Sequence, residues 1–169
     1  MSRVLIVIDM QNDFVTGALG SKEARAIVPN VQAKIKEYAD RGDRIFFTRD
    51  THQENYLDTA EGKKLPVKHC IKGTDGWQII PELEVEGCEY IDKPTFGWLN
   101  WSGFDEHDEI ELVGVCTDIC VVSNALILKA MYPEAVISVD AGCCAGVTPE
   151  KHEAALETMK SCQIDVWGE

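Results

Sequence analysis

An α/β fold, with helices on both faces of a mostly parallel sheet of about six strands, is what this sequence predicts, and three observations carry the prediction. Apolar β-branched runs alternate with segments of helical period along the chain. The first run, Val4-Leu5-Ile6-Val7-Ile8, is apolar at every position, as a strand buried on both faces must be. The chain has 169 residues, 45% of them hydrophobic and 27% charged, enough for one domain with a sizeable core.

Each element has its own signal. Residues 4–8 are the first strand. Residues 28–38 carry Val28, Val31, Ile35 and Tyr38 at helical spacing, and Gly42 stands just past their end, where a left-handed cap suits glycine. Residues 44–48 make a second strand, 89–91 a short third and 111–115 a fourth. A helix over 118–131 is apolar on most sides and stops before Pro133. Residues 135–139 are a fifth strand. Residues 149–161 form a last amphipathic helix with Pro149 in its first turn, and 164–167 a closing strand. This order predicts a three-layer, Rossmann-like arrangement. No repeat, low-complexity stretch or linker divides the chain, so residues 1–169 are expected to form a single domain. The irregular segment 51–89 is long for a compact domain, and loops of that length are often functional.

Composition excludes several roles. A formal net charge of −13 argues against nucleic acid, whose phosphates need a basic face. No apolar run approaches the roughly 20 residues of a membrane span, and charged Asp9 ends the first run too early for a secretory signal. A cytoplasmic protein with no membrane partner is the expectation. The seven cysteines, at 70, 88, 116, 120, 143, 144 and 162, are odd in number and lack C-x-x-C spacing, which points to free thiols.

Ligand sites in open α/β sheets form beyond the carboxyl ends of the strands, so Asp9, Asp50, Lys93, residues 116–120 and Asp140 are the positions to inspect. Cys120 lies where a strand gives way to a helix, and a helix start favours thiolate and offers N–H groups to an oxyanion. The alternative for Cys120 is a small buried hydrophobe. Asp9 directly follows an apolar strand, where a carboxylate needs a partner, although a cap or an Asx turn also fits. Lys93 follows the third strand; an ordinary exposed lysine is the alternative. Strand ends on one rim can bring the three together, with Asp9 taking the thiol proton and Lys93 offsetting the carboxylate. Asp50 and His52 stand two apart at the end of the second strand, side chains on one side, and His69 follows across the long loop. One carboxylate and two imidazoles suit Zn²⁺, Fe²⁺ or Mn²⁺, unless the histidines simply occupy a polar loop. Asp118 is read as a helix cap, Asp140 as a rim support, and His107 and His152 as surface or packing residues.

Three segments in this order carry a resemblance. Asp-Met-Gln-Asn-Asp-Phe at 9–14, Lys93, and Gly-Val-Cys-Thr-Asp-Ile-Cys-Val at 114–121 resemble the signature segments of the isochorismatase-like cysteine hydrolases. With Val-Asp-Ala at 139–141 and the helix from Pro149, the likeness covers nearly the whole chain. It implies a catalytic triad of Asp9, Lys93 and Cys120, a cis peptide between Val115 and Cys116, and an oxyanion hole made by the backbone N–H groups of Cys116 and Cys120. Cys116 itself departs from the family, which more often has alanine there. Asp-x-His at 50–52 and the His-Cys segment at 69–70 resemble the nicotinamidase/pyrazinamidase branch. That likeness implies one divalent metal, zinc first and iron or manganese next, holding the pyridine nitrogen of the substrate on Asp50, His52 and His69. Glu61 is the candidate fourth ligand and Glu54 the alternative. Where the branch carries a bulky Trp before the second His, this chain has Leu65-Pro66, so ring packing is assigned to Phe14 with Trp98 or Trp101.

The implied activity is amide hydrolysis, nicotinamide to nicotinate and ammonia, on a small-molecule substrate. Another amide, a carbamoyl compound or isochorismate is the alternative within the fold, and a non-enzymatic binding or redox module the alternative outside it. Against the latter, Met10-Gln11-Asn12-Asp13 follows the first strand where a dinucleotide site needs glycines. Relatives commonly self-associate, so a homo-oligomer is also expected.

Overall fold

In a computed structural model describing residues 1–169, six strands form one sheet with every neighbouring pair parallel. The strands are β1 (Arg3–Ile8), β2 (Arg44–Asp50), β3 (Glu89–Lys93), β4 (Glu109–Val115), β5 (Val136–Ala145) and β6 (Asp165–Trp167), in the order β3-β2-β1-β4-β5-β6. The helices are α1 (Asn12–Val15), α2 (Lys22–Arg41), α3 (Ala60–Lys64), α4 (Val122–Met131) and α5 (Pro149–Ser161).

The unbroken apolar run of β1 is explained by two cores, one on each face. Val4, Ile6 and Ile8 pack with Val121, Ala125 and Leu128 near and in α4 and with Leu156 and Met159 of α5. Leu5 and Val7 pack on the opposite face with Ile27, Val31, Ile35 and Tyr38 of α2. Burying each such side chain stabilises the fold by about 1.5–3 kcal/mol before chain entropy is counted. None of the helices is long and apolar enough to cross a membrane.

Several elements are longer than their sequence signals. α2 starts at Lys22, not 28, because Ser21 Oγ accepts the Ala24 N–H at 3.0 Å and the helix carries Pro29 in its interior. Its end is as expected: Gly42 takes φ 73° and returns its N–H toward Ala39 O. β2 and β3 run on to Asp50 and Lys93, so both side chains sit on the last strand residue and pair directly in register. β5 extends to Ala145 through a bulge: Leu112 pairs with Val139 but Gly114 with Cys144. Asp140 therefore lies within β5, where its carboxylate meets Lys34 Nζ at 2.9 Å and accepts the Gly142 N–H.

β1 is the switch point. The chain moves outward from β1 through β2 to β3, then crosses back to β4 on the other side, opening a crevice at the carboxyl ends of β1 and β4. Gly114 has φ 117°, and a Cβ there would lie 2.2 Å from Ile8 O, so only glycine lets these two strands close up at the crevice.

Candidate active site

Asp9 is the first residue past β1. It has φ 51°, and its N–H points at Thr48 O and Thr48 Oγ1 while Thr48 Oγ1 donates to Asp9 Oδ1 at 2.7 Å. Lys93 Nζ lies 2.8 Å from Asp9 Oδ2 and 3.7 Å from Asp50 Oδ1, and donates to Thr95 O. Asp9 and Lys93 are completely buried, so each needs the other: an unpaired buried charge costs several kcal/mol, roughly. Cys120 sits in a π-helical turn, Thr117–Val121, entered through a cis Val115–Cys116 peptide and running on into α4. Its thiol feels the charges of both Asp9 and Lys93.

The electrostatics differ from a simple helix-start picture. Burial, with the Asp9 charge, pushes the Cys120 thiol well above its ordinary value, and Lys93 offsets this only in part. Burial also raises Asp9, Lys93 pulling the other way and Asp50 adding to the rise, which makes Asp9 a better proton acceptor than an exposed carboxylate. Lys93 is lowered by burial but raised on balance by Asp9, Cys120 and Asp50, and stays charged.

Asp50, His52, Glu61 and His69 gather beside this trio, one ligand atom from each lying within 4.8 Å of the others. Asp50 Oδ2 is 2.9 Å from His52 Nε2 and 3.5 Å from His69 Nε2; Glu61 Oε2 is 3.3 and 3.9 Å from the same nitrogens. His69 Nδ1 donates to Val67 O, which leaves Nε2 as the nitrogen turned toward Asp50 and Glu61. Tyr56, fully buried, packs against both imidazoles and donates its hydroxyl to Leu65 O. Burial alone would raise Asp50; hydrogen bonds from the two histidines and the charge of Lys93 outweigh it and hold the carboxyl below the usual range.

This donor set fits a divalent cation. Metal–ligand bonds of about 2.0–2.2 Å in a tetrahedron separate ligand atoms by roughly 3.3–3.6 Å, within the spread of the four distances above. Glu61 Oε2 also has no hydrogen-bond partner, an expensive state for a buried carboxylate oxygen unless a cation is its partner, whereas Asp50 Oδ1 faces Lys93 Nζ. Glu54 is outside the set: it is exposed and pairs with Lys68 Nζ at 3.1 Å.

Both clusters open on one cavity of about 390 Å³, whose wall includes Cys116, Cys120, Asp50, Glu61 and His69. Phe14 lines it, its ring edge-on to His69 at 5.5 Å. The matching Isochorismatase domain covers residues 3–167.

The chain belongs to the isochorismatase family.

Among its relatives, a nicotinamidase/pyrazinamidase of Mycobacterium tuberculosis is 26% identical, with 97% of each chain covered. An Arabidopsis thaliana protein named a probable inactive nicotinamidase is 31% identical over 95% of this chain and 89% of its own. Of solved structures, the nicotinamidase/pyrazinamidase of Bacillus subtilis superposes with a TM-score of 0.84 at 28% identity, covering 99% of this chain and all of that one. The pyrazinamidase of Pyrococcus horikoshii in complex with zinc gives 0.80 at 29%, covering 98% of both.

Against this family frame several residues stand elsewhere than expected. Trp98 does not line the cavity: its N–H is held by Asn124 Oδ1 and its ring packs on the core, while Phe96, two residues earlier, faces the cavity instead. Trp101 is a core residue against Phe46 and Phe104. Leu65 joins the cavity wall. Asp118 does not cap the turn that carries Cys120; its Oδ1 accepts the Val147 N–H. Asp140 is tied to Lys34, as above, and plays no part at the crevice rim. His107 and His152 are where the sequence put them: His107 is exposed, and His152 packs α5 on Thr117, Nδ1 to Oγ1 at 2.7 Å. All seven cysteines are free. Cys116 shares the cavity with Cys120, its thiol pushed up to about 12 by burial and Asp118.

Four supporting residues carried no signal of their own. Gln11 Nε2 donates to Asp50 O and Trp77 O, and its Oε1 accepts the Asp50 N–H. Asp13 Oδ2 accepts the Cys70 N–H at 2.8 Å. Thr48 holds Asp9, and Asn124 holds the turn that carries Cys120. Gln11 and Asp13 belong to the 9–14 signature, so their presence beside Asp9 in that segment was the available clue.

Proposed function

We propose that this protein hydrolyses nicotinamide to nicotinate and ammonia through a thioester on Cys120. The observation that carries the reading is the shared cavity: a cysteine beside a buried carboxylate–lysine pair on one side and a four-residue metal donor set on the other. The named activities of its nicotinamidase and pyrazinamidase relatives support it.

In this mechanism Asp9 takes the Cys120 proton as sulfur attacks the carboxamide carbon. Burial raises the proton affinity of the thiol, and it also raises that of Asp9, which fits the carboxylate to accept the proton as sulfur attacks. Backbone N–H groups of Cys116 and Cys120 receive the oxyanion. Asp9 protonates the leaving nitrogen as the C–N bond breaks, and ammonia departs. Asp9 then takes a proton from water as it attacks the thioester, and returns it to the Cys120 sulfur as nicotinate leaves. Lys93 stays charged throughout and keeps Asp9 ionised between proton transfers. Phe14 and Phe96 pack on the ring. Asp50, His52, Glu61 and His69 would hold one divalent ion, zinc by analogy with the Pyrococcus relative, and such an ion would supply a Lewis acid beside the substrate ring. Residues 1–169 act as one cytoplasmic hydrolase domain.

Ammonia release from nicotinamide, measured beside Cys120→Ala, is the test. Turnover by the wild type and a loss of ~10⁴-fold or more in the variant is expected. Full activity in Cys120→Ala overturns the mechanism, and a folded, metal-loaded wild type without turnover overturns the substrate. A second reading, a different small carboxamide or carbamoyl compound on the same nucleophile, is favoured by Leu65 in the wall where the branch has tryptophan.

A further inference from the structure

Asn124 is a completely buried amide in α4, one turn past Cys120, and every polar group on it is engaged. Its Oδ1 accepts the Trp98 N–H at 2.8 Å and the Trp101 indole N–H at 3.2 Å. Its Nδ2 donates to Cys120 O at 2.8 Å and to Phe96 O at 3.1 Å. An apolar side chain of similar size would fill the same space without needing four partners, so the amide's bonds, and not its volume, distinguish the position.

The partners lie on two separate pieces of chain. One is the turn that carries Cys120. The other is the segment after β3, which begins at Lys93 itself: Lys93 Nζ donates to Thr95 O, Thr95 Oγ1 donates to Gly97 O, and Phe96 lines the cavity. Gly97 lies flat against α4, since a Cβ there would come 2.5 Å from Ile127 Cδ1. Asn124 thus joins the Cys120 turn to the segment that follows Lys93, and Lys93 in turn holds Asp9.

We propose that Asn124 is a positioning residue that holds Cys120 against Asp9 and, with the same amide, keeps Phe96 in the cavity wall. The proposal rests on the reading of Cys120 as the nucleophile. A displaced nucleophile costs rate even when the chemistry is intact; about 1 Å is worth ~10²-fold.

The test uses two variants and a substrate-free readout. Asn124→Asp keeps an acceptor for Trp98 and Trp101 and loses the donation to Cys120 and Phe96; Asn124→Leu loses all four bonds. For each, kcat and KM on nicotinamide are measured together with the rate at which iodoacetamide alkylates Cys120, read by mass spectrometry, and the melting temperature. Expected is a fall in kcat of about 10–10²-fold that exceeds any rise in KM, with several-fold faster alkylation as Cys120 leaves its buried seat. Trp101→Phe, which removes one bond to the loop alone, should keep kcat and alkylation near wild type. A folded Asn124→Asp that differs from wild type in melting temperature alone overturns the proposal, and it decides the matter if Asn124→Leu does not fold. A wild type inert toward nicotinamide would end the substrate reading, while the alkylation rates would still decide Asn124.

Discussion

Asp9, Lys93 and Cys120 stand on strand ends or one turn beyond them, whereas His52, Glu61 and His69 hang on the segment between β2 and β3. The first group is placed by sheet register. Ile8 pairs with Thr48 and with Gly114, and Asp50 with Lys93, so moving any of the three means unpairing strands. The second group is placed by knots of side chain to backbone: Asp13 to Cys70 N, His69 to Val67 O, Tyr56 to Leu65 O. Asp50 belongs to both, one oxygen toward the histidines and the other toward Lys93. The contrast separates a half whose failure costs the fold from a half whose failure costs ligand binding.

Lys93→Met should break that contrast hardest. It leaves Asp9 buried without its cation, and removing one partner of such a pair typically costs about 3–5 kcal/mol. The sign with pH follows from the direction of the Asp9 shift. Burial already raises Asp9 in the folded protein, and without Lys93 it rises further. A group whose folded value lies above its unfolded value favours folding below the unfolded value and loses that contribution as pH rises through the folded one. The deficit of Lys93→Met against wild type, from denaturant melts, should therefore be small near pH 4 and grow toward neutrality. A deficit that does not change with pH would mean Asp9 is not the group left exposed to the loss. Adding Asp9→Asn should recover much of the stability at neutral pH, and no activity.

How much could be read from the chain follows the same division. The fold class was legible because a parallel strand covered on both faces has to be apolar at successive positions, as Val4 to Ile8 are. Asp9, Lys93 and Cys120 were legible because strand ends are where such sheets expose chemistry. Element ends were less so. Ser21 starts α2 by one hydrogen bond that hydrophobic period does not register, and the β5 bulge shifts Asp140 off the rim through backbone geometry without a sequence mark. Glu61 emerged only by likeness, since nothing local distinguishes it from Glu54. Trp98 and Phe96 are two residues apart in a loop without period, so which ring faces the cavity depends on Asn124 holding Trp98 N, a contact 26 residues away.

His69→Ala comes next in size and tests the other half. Bound metal, measured by elemental analysis after exhaustive dialysis against zinc, should be lost, and so should ammonia release from nicotinamide. Cys120 should alkylate at the wild-type rate, because register and not the metal donors seats the thiol. A chelator applied to the wild type should reproduce the loss, and added zinc should reverse it. If alkylation of Cys120 instead changed along with metal loss, the two halves would be one unit and the division drawn above would fail.

Asp13→Ala should have the smallest effect and the most specific one. Asp13 hydrogen-bonds neither Cys120 nor a metal donor atom; its carboxylate receives the N–H of Cys70, the residue after His69, at φ 48°. A Cβ on Gly17 or Gly76 would run into the same carboxylate, so the surrounding chain is folded closely around it. Losing the acceptor leaves the Cys70 N–H unpaired, a cost of about 1–3 kcal/mol. Supports of this kind usually change metal affinity by about 10–100-fold. The variant should thus release zinc faster to a chromogenic chelator and reach wild-type turnover only at higher zinc, with Cys120 alkylation unaffected. Wild-type zinc release in a folded Asp13→Ala would show that the Asp50–His52–Tyr56 side alone seats the metal donors, and that the 69–77 turn is packing for the cavity wall.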